Sequence, residues 1–297
     1  MDELRIAVLG PGAVGGLLAA VLVHAGARVV CVARASSADR LNREGIALSS
    51  DRFGAIDVAV RAVERLTSPV DILCVTVKAT GLDEALDRVS PRSLDNAVVI
   101  PFLNGVEHVD RIRRHFPATG VVPATIRVET VRDDTGRIRQ VSPFASIEVA
   151  DGTSRSVTVT RLAELLRSAG FDVMSRNDER PMLWEKLAVL TPLALLTTAY
   201  DVPAGVVRTT YRTELLQVAA EVASVARSRG AAVDRDSIVA FVDRVPESMG
   251  SSMQSDAAHG RPLELEATGG AVIRAAEDES IDVPTLSRLV TTLRALR

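Results

Sequence analysis

The sequence predicts an α/β fold in which a mostly parallel sheet with helices on both faces is followed by an all-α domain. Residues 1–176 alternate short β-rich runs with helical stretches, an alternation typical of a parallel sheet covered on both faces. From residue 177 onward the apolar pattern is helical. A chain of 297 residues has room for about two domains. We therefore predict one domain over residues 1–176 and a second over 177–297.

Apolar, β-branched runs separated by Gly, Pro, Asn and Asp predict the strands of the first domain. They span residues 4–9, 28–33, 56–60, 71–77, 97–102, 120–129 and 145–149. The stretch from Glu129 to Val149, with its turn at residues 133–136, is predicted to be an antiparallel hairpin that closes the sheet. An amphipathic helix over 158–169 and a short strand from Phe171 to Met174 end the domain.

The helices of the second domain are predicted near residues 178–199, 206–229, 234–243, 264–278 and 284–296. Asp178 is a suitable cap for the first of them, and Pro284 suits the first turn of the last. The apolar run from Leu187 to Leu196 would suit an internal core or the interface of a homodimer, and the sequence leaves both open.

A glycine-rich loop joins the first predicted strand to the first predicted helix. It consists of Gly10, Pro11, Gly12, Ala13, Val14 and Gly15. In a strand–loop–helix context, the first glycine permits a tight turn, the second lets the backbone approach a pyrophosphate, and the third allows close packing of helix on strand. The helix N-terminus offers free N–H groups and a positive dipole to phosphates. A Rossmann-type dinucleotide site is therefore favoured over a plain β–α turn.

The end of the second predicted strand indicates which dinucleotide is bound. NAD-binding proteins usually place Asp or Glu there, about 20 residues after the glycines, to bind the ribose 2′-hydroxyl. This chain has Arg34, with Arg40 and Arg43 nearby. A guanidinium can bind a 2′-phosphate through two hydrogen bonds, and we expect no carboxylate there to repel it. The sequence thus predicts NADPH as the cofactor, the alternative being that Arg34 is a surface arginine without a ligand.

Composition excludes several other functions. A formal net charge of −3 gives no basic footprint for nucleic acid. Cys31 and Cys74 lie in apolar runs and are interpreted as buried residues of a reducing compartment. The uncharged stretch from Ile6 to Ala27 is broken by Gly-Pro-Gly, which argues against a signal peptide or a membrane span. The four histidines show no metal-ligand spacing. We expect a cytoplasmic protein without membrane or metal sites.

Two polar residues follow predicted strands at the edge where parallel sheets bind ligands. Lys78 ends the segment Val75-Thr76-Val77-Lys78, and Asn104 follows the strand over 97–102. Either residue alone could equally be an ordinary loop residue.

Polar residues also interrupt the second domain. Lys186 lies beside an apolar stripe of the first predicted helix. It is either a lysine whose ammonium reaches solvent or an amine partly removed from water, which would donate a proton more readily near neutral pH. Ser252 lies in a polar join at Ser251–Asp256, and Glu264 begins a helix, where a carboxylate is favoured for electrostatic reasons alone.

Taken together, these motifs resemble the 2-dehydropantoate 2-reductase (ketopantoate reductase) family over nearly the whole chain. The matching points are the glycine loop to Gly16, Arg34, Val-Thr-Val-Lys78, Asn104-Gly105, Trp184-Glu-Lys186-Leu-Ala-Val, Ser-Ser252-Met and Glu264. Their common order and spacing are far more specific than any single motif. The resemblance implies a Rossmann-type domain that binds NADPH and a helical domain that completes the site.

The resemblance also implies a function and a role for each residue. The chain would reduce a 2-keto acid, with 2-dehydropantoate to (R)-pantoate, a step of pantothenate and coenzyme A biosynthesis, as the first expectation. Lys186 would be the general acid that protonates the C2 carbonyl oxygen, and Glu264 would orient that lysine or the substrate hydroxyl. Ser252 would bind the substrate carboxylate. Asn104 and Lys78 would contact both substrate and cofactor.

One departure from the family pattern bears on the substrate. Family members usually carry Asn at the positions four and eight residues after the lysine, where this chain has Leu190 and Ala194. A site that hydrogen-bonds a substrate hydroxyl discriminates strongly for it, so loss of both amides leaves another small 2-keto acid or ketone open.

Two readings from other classes are a non-catalytic NADPH sensor and a dehydrogenase of the 6-phosphogluconate or hydroxyacid type. The presence together of Lys186, Ser252 and Glu264 argues against the sensor. The Lys78 and Asn104-Gly105 loops favour the ketopantoate reductase family over the other dehydrogenases.

Overall fold

A computed structural model describes residues 3–150 and 156–295. The chain divides into two units, the first comprising Met1–Leu103 with His108–Glu179 and the second Asn104–Glu107 with Arg180–Arg297. The segment Asn104–Glu107 is therefore part of the helical unit, although first-unit elements flank it in sequence. Residues 1, 2, 151–155, 296 and 297 belong to the predicted domains, and residue 296 to the predicted last helix, but they lie outside the described residues.

The first unit begins with alternating strands and helices. In chain order its elements are β1 (Arg5–Leu9), α1 (Ala13–His24), β2 (Arg28–Val32), α2 (Ala35–Glu44), β3 (Ile46–Ser50), β4 (Gly54–Val58), β5 (Arg61–Val63), β6 (Ile72–Val75), α3 (Leu82–Leu86), β7 (Val98–Pro101), α4 (His108–His115), β8 (Gly120–Val121), β9 (Ala124–Arg127), β10 (Thr130–Arg132), β11 (Ile138–Gln140), β12 (Ser146–Ala150), α5 (Val157–Ser168) and β13 (Asp172–Arg176). Single 3-10 turns at Ala79–Gly81 and Pro91–Leu94 precede α3 and β7.

The main sheet of this unit is parallel throughout. Among the described residues it contains six strands in the order β5-β2-β1-β6-β7-β8. The central strand β1 pairs with β2 and β6, and Ile6 and Leu9 within it are 1% exposed because both faces of the sheet are covered. The strand order reverses between β1 and β6, and ligands of open parallel sheets bind beyond the carboxyl ends of the strands at such a reversal. The predicted Rossmann-type α/β fold class is confirmed.

A second sheet corrects two sequence predictions. The predicted hairpin exists as antiparallel β10 and β11, but it does not close the parallel sheet. Instead β11 pairs with β3, and β3 pairs with β4, in a separate sheet of order β10-β11-β3-β4. The predicted strand over 56–60 therefore ends up as β4 of this second sheet, and β5 takes the edge of the parallel sheet.

The physical reason for the second sheet is an apolar contact with α1. A Cβ atom on Gly16 would lie 2.3 Å from Cδ1 of Ile138 in β11, so this sheet packs directly on the helix. Because α1 also contacts β1 and β2, it is covered on two sides, and Leu17, Leu18 and Leu22 are at most 1% exposed.

The predicted strand over 120–129 is broken at Pro123. Its first part is β8 of the parallel sheet, and its second part is β9 of a third sheet with order β13-β12-β9. Proline has no N–H to donate to a strand ladder, and the Pro123 carbonyl instead accepts a hydrogen bond of 2.9 Å from the Ala150 N–H. The last strand of the domain, predicted at Phe171–Met174, is β13.

The second unit is helical. Its elements are α6 (Glu179–Tyr200), α7 (Ala204–Thr209), α8 (Arg212–Ser228), α9 (Arg235–Arg244), α10 (Ser252–Ala258), a π-helical turn (Glu266–Gly270), α11 (Ala271–Asp278) and α12 (Pro284–Ala295). Along α6, Leu187, Leu193, Leu195 and Leu196 are at most 3% exposed within the core of this unit. The apolar run therefore serves as internal core. Within the described part of the chain, α6 alone is long and apolar enough to cross a membrane, and 72% of its apolar window is buried.

Three predictions for this unit need correction, two for helices and one for a join between helices. The helix predicted over 206–229 is divided into α7 and α8, and Tyr211 at the division stacks on Tyr200 with ring centroids 3.9 Å apart. The helix predicted over 264–278 starts with the π-helical turn, where a Cβ on Gly269 would lie 2.5 Å from Cγ2 of Val290. The join predicted at Ser251–Asp256 is mostly α10, because Ser251 caps it by accepting a hydrogen bond of 3.0 Å from the Gln254 N–H.

Candidate functional site

The glycine loop adopts the tight turn that the sequence predicts. Gly10 has a φ of +85°, which only glycine adopts readily, and its N–H donates to the Val32 carbonyl at 3.0 Å. A Cβ on Gly10 would lie 2.3 Å from Cγ1 of Val77, and one on Gly15 would lie 2.3 Å from Oγ1 of Thr76. Both glycines thus permit close contact between this loop and the segment that follows β6.

Thr76 is a further residue at this site, to which the sequence alone assigns no role. Its hydroxyl lies 3.0 Å from the Leu9 carbonyl oxygen and 2.9 Å from that of Gly10, and it donates between them. Its backbone N–H also donates to the Leu9 carbonyl at 2.9 Å. Thr76 therefore holds the end of β1 and the first glycine in place. The sequence signal that could have identified Thr76 is a hydroxyl residue directly after an apolar strand, at the ligand-binding edge of the sheet.

The start of α1 fits a phosphate-bearing ligand. Pro11 precedes Gly12, which is the N-cap, and the helix begins with Ala13 and Val14, with no acidic residue in this described first turn. A Cβ on Gly12 would meet only the Gly10 carbonyl, at 3.9 Å. The loop is therefore open at Gly12 and crowded at Gly10 and Gly15. A positive helix end beside open backbone suits a pyrophosphate.

Arg34 is placed differently from the prediction. It occupies the N-cap position of α2, two residues after β2 ends, and its side chain is 73% exposed. Its Nε lies 3.7 Å from Oε1 of Glu84, a residue of α3 that also accepts a hydrogen bond of 3.0 Å from Arg88. The expectation that no carboxylate stands near Arg34 is wrong, because Glu84 comes from a helix fifty positions further along the chain. The guanidinium remains exposed to solvent all the same.

Lys78 follows β6 at the carboxyl edge of the parallel sheet. It is exposed, and its carbonyl accepts a hydrogen bond of 3.0 Å from the Gly81 N–H in the adjoining 3-10 turn. Like the glycine loop and Arg34, Lys78 belongs to the first unit.

Asn104 and Glu264 are brought together in the second unit. The Asn104 side-chain amide donates to Oε2 of Glu264 at 3.3 Å, and the Glu264 side chain is buried, with the residue 8% exposed. Gly105 next to it has a φ of +87°, and a Cβ there would lie 2.4 Å from the Ala267 carbonyl oxygen. Two residues assigned to one site from sequence are thus in contact, and glycine is required beside them.

Lys186 lies on α6 in the same unit, and its side chain is half-buried. Its neighbours Trp184 and Leu187 are 5% and 1% exposed. Leu190, one turn later on the same face, is also half-buried, and Ala194 a further turn on is 2% exposed. The Lys186 side chain therefore lies at the border of the helical core, followed by apolar residues where the family pattern has amides.

Ser252 is exposed and is the first residue of α10. Its position is fixed by its neighbour Ser251, whose hydroxyl accepts a hydrogen bond of 2.8 Å from the buried Thr197 of α6. Ser252 can be singled out from the sequence, but the Thr197–Ser251 contact cannot, because these two residues are 54 positions apart.

The lysine content of the chain is a further signal for the same two residues. Of the 35 basic Lys and Arg residues, only Lys78 and Lys186 are lysines, and both were singled out for other reasons. Arginine stays protonated under all ordinary conditions, whereas an amine can give up a proton. A chain that uses arginine for nearly all its positive charge retains lysine at these two places.

The described residues offer neither a metal site nor a reactive thiol. In residues 3–150 and 156–295, no group of three His, Cys, Asp or Glu side chains could hold a metal ion. Burial raises the pKa of Cys31 and of Cys74 to about 12, so both thiols stay protonated and inert.

Two family models match this chain. One, described as ketopantoate reductase PanE/ApbA, matches residues 6–153, and the other, described as the C-terminal part of ketopantoate reductase PanE/ApbA, matches residues 178–297. A 2-dehydropantoate 2-reductase of Mycobacterium tuberculosis is 31% identical over 294 residues, which cover 98% of this chain and 97% of the relative.

Solved structures agree in fold. A PanE/ApbA family ketopantoate reductase from Ralstonia eutropha is 26% identical with a TM-score of 0.87, covering 98% of each chain. A D-mandelate dehydrogenase in complex with NADH and anilino(oxo)acetate is 19% identical with a TM-score of 0.88, again over 98% of each chain. A dimeric ketopantoate reductase from Staphylococcus aureus is 21% identical with a TM-score of 0.81, over 99% of this chain and 98% of that one.

The last two structures are too distant in sequence to indicate more than the fold. The two family models, by contrast, together span both units, and the mycobacterial relative is similar over almost the entire length. The chain therefore belongs to the ketopantoate reductase family of oxidoreductases.

Proposed function

We propose that the chain reduces the C2 carbonyl of a 2-keto acid with NADPH, and that 2-dehydropantoate is the first candidate substrate, with pantoate as product. The observation that carries this proposal is the hydrogen bond between Asn104 and Glu264. These residues are 160 positions apart and were assigned to one site from sequence. The name of the mycobacterial relative supports the choice of substrate.

The cofactor part of the proposal rests on the first unit. In the loop from Gly10 to Gly15, the backbone N–H groups of Ala13 and Val14 in the first turn of α1 would hold the pyrophosphate, beside the open space at Gly12. Arg34 would bind the 2′-phosphate, since its guanidinium is exposed and can form two parallel hydrogen bonds. Lys78, at the same edge of the sheet, would add a positive charge. When bound, the nicotinamide supplies the hydride.

The proton and the substrate contacts come from the second unit. Lys186 would donate a proton to the C2 carbonyl oxygen, and its positive charge would stabilise the negative charge that develops there. Glu264, held by the Asn104 amide, would orient this amine or the substrate hydroxyl. The Ser252 hydroxyl would donate a hydrogen bond to the substrate carboxylate, and Asn104 would contact the substrate and the cofactor.

A second candidate substrate is a 2-keto acid with an apolar side chain. Leu190 and Ala194 follow Lys186 on the same face of α6. They offer no hydrogen bond to a substrate hydroxyl, and a polar group buried without a partner loses binding energy. Loss of amides at these two positions favours an apolar chain over the hydroxymethyl group of 2-dehydropantoate.

The test is an NADPH-oxidation assay over a panel of 2-keto acids that includes 2-dehydropantoate, 2-oxoisovalerate and phenylglyoxylate. We expect turnover of at least one, with the Leu190→Asn variant shifting kcat/KM toward 2-dehydropantoate. Absence of turnover for every acid, with NADPH still bound, would overturn the reductase proposal in favour of the sensor. Equal kcat/KM for NADPH and NADH would overturn the cofactor proposal.

Lys186 is tested by a pair of variants. Lys186→Met removes the amine and should lower kcat by a factor of about 100 or more. Lys186→Arg retains the positive charge but cannot release a proton at neutral pH, so it should restore binding of the keto acid without restoring kcat. Full activity of Lys186→Arg would mean that charge alone is needed.

We also propose a cytoplasmic homodimer. The dimer is suggested by a dimeric protein of the same fold from Staphylococcus aureus, and the inert, buried Cys31 and Cys74 are compatible with a reducing compartment. Sedimentation of the purified chain tests the dimer.

A further inference from the structure

The segment Asn104–Glu107 is attached to the π-helical turn Glu266–Gly270 by one arginine. Arg274 of α11 donates from Nε to Oε1 of Glu107 and from Nη2 to Oε2 of Glu107, both at 2.8 Å. This is a bidentate pairing, the arrangement in which arginine and carboxylate bind most strongly. It holds the end of the segment that starts with Asn104.

The same guanidinium also binds the π-helical turn. Nη2 of Arg274 donates to the Glu266 carbonyl at 2.7 Å, and Nη1 donates to Oε2 of Glu266 at 3.3 Å. Arg294 of α12 binds the other side of the Glu266 carboxylate with hydrogen bonds of 2.8 and 3.0 Å. The Arg294 and Arg274 guanidinium groups hold the pKa of Glu266 below its usual range. Glu266 therefore stays ionised and bound on both sides.

These contacts join the two segments that carry the candidate site residues. Glu107 lies three positions after Asn104, and Glu266 lies two positions after Glu264. Asn104 and Glu264 are themselves linked by a hydrogen bond of 3.3 Å, which is long and weak on its own. Between the Asn104–Glu264 and Glu107–Arg274 contacts, Gly105 has a positive φ and packs against the Ala267 carbonyl. The backbone of the Asn104–Glu107 segment therefore lies close to the backbone of the π-helical turn.

We propose that Arg274 is a positioning residue. It clamps Glu107 to Glu266 and so keeps the Asn104 amide within hydrogen-bond distance of the Glu264 carboxylate. The role rests on the proposed function, in which Asn104 and Glu264 contact the substrate. Lysine cannot replace Arg274, because a single ammonium cannot span two carboxylates and a carbonyl in fixed directions.

The first test needs no catalytic activity. Hydrogen–deuterium exchange of the Asn104–Glu107 amides is compared in the wild-type chain, in Arg274→Gln and in Glu107→Gln. Both variants should raise exchange in this segment about tenfold or more, since local opening becomes easier. Arg212→Gln is the matched control, because Arg212 forms a similarly exposed ion pair with Asp243 in the same unit. Unchanged exchange in both variants would overturn the clamp.

The second test measures kinetics with the best acid from the panel. Arg274→Gln and Glu107→Gln should each lower kcat/KM on the order of tenfold, because small displacements of positioning groups are costly. The double variant should be no worse than either single variant, and Arg274→Lys should not restore activity. Faster exchange with kcat/KM equal to that of Arg212→Gln would show that the contact is merely structural.

The two proposals fail in different ways. A wild-type chain that reduces none of the acids overturns the proposed function, and the exchange measurements still decide whether Arg274 clamps the segment. A wild-type chain that is active, with variants that exchange and react normally, overturns the clamp alone.

Discussion

The Asn104 amide and the Glu264 carboxylate are joined across 160 positions of sequence by a hydrogen bond of 3.3 Å. Glu264 is 8% exposed, whereas Asn104 is half-buried. A buried carboxylate needs hydrogen-bond donors, and Asn104 provides one from a segment that otherwise belongs to the loop after β7. Because the two side chains are in direct contact, a double-mutant cycle can measure the energy that couples them.

A double-mutant cycle tests this pair. Asn104→Ala and Glu264→Ala should each lower kcat/KM by about tenfold or more, the loss of roughly one hydrogen bond to a charged group. Because each change removes the same contact, the double variant should fall less than the product of the two effects. Steady-state kinetics with NADPH in excess provide the numbers. Strictly multiplicative effects would mean that the two residues act separately.

In the glycine loop, one substitution should lower the stability of the fold and another should weaken only cofactor binding. Gly15→Ala should lower the free energy of unfolding by about 2 kcal/mol, since its Cβ would lie 2.3 Å from Thr76 Oγ1. Gly12→Ala should leave stability nearly unchanged, because a Cβ there meets only one atom, at 3.9 Å. It should nevertheless weaken NADPH binding, since the methyl group projects from the open part of the loop. Urea unfolding and fluorescence titration separate the two effects, and unweakened binding in Gly12→Ala would count against a pyrophosphate at this position.

Glu84 should oppose the preference for NADPH. Its carboxylate lies 3.7 Å from Arg34, so it would compete with a 2′-phosphate for the guanidinium and repel it. Glu84→Gln should lower the Kd for NADPH about threefold at low salt, and less at high salt, with the Kd for NADH unchanged. Glu64→Gln is the matched control, because Glu64 is equally exposed and binds Arg88. An identical change in both variants would exclude a specific role of Glu84.

Acid stability of the first unit should depend on Glu148. Burial alone would raise the pKa of this 4%-exposed carboxyl, but the guanidinium groups of Arg127 and Arg176 outweigh burial and hold the pKa below its usual value. Its stabilisation is therefore complete above the unfolded pKa of about 4.3 and is lost as the pH falls through the lower folded value.

Glu148→Gln should lower the free energy of unfolding by about 2 kcal/mol at pH 7, because two arginines lose a buried partner. The loss should shrink as the pH falls below about 4. Glu164→Gln changes an exposed residue of α5. It should alter neither the free energy of unfolding at pH 7 nor its dependence on pH. Thermal unfolding between pH 3 and pH 7 measures both variants, and a pH-independent loss in Glu148→Gln would show that packing, not charge, is responsible.

Prediction from sequence succeeded where the signal was local. The unit β1-loop-α1-β2 is contiguous, and its strands, glycines and helix each carry their own pattern, so all were placed correctly. It failed where pairing is remote. No strand is predicted over the residues that form β3, and the run that forms β11 is predicted to close the parallel sheet. In the structure these two strands pair in a second sheet, and Ile138 of β11 lies against α1 at Gly16.

The candidate site divides in the same way. Lys186, Asn104 and Glu264 could be singled out because polar residues beside apolar runs stand out in a sequence. Glu84 and Thr197 could not, since an acidic residue in a short exposed helix and a threonine in an apolar helix look unremarkable until the fold brings Arg34 and Ser251 to them.

The scarcity of lysine has a practical consequence. Amine-selective reagents, such as acylating dyes or formaldehyde with a reductant, have only Lys78 and Lys186 to modify among the side chains. Lys78 is exposed and Lys186 is half-buried, so the two should be labelled at different rates. Reductive methylation with carbon-13 would give a spectrum with one side-chain signal from each unit, in which ligand binding and proton transfer can be followed without any engineered probe.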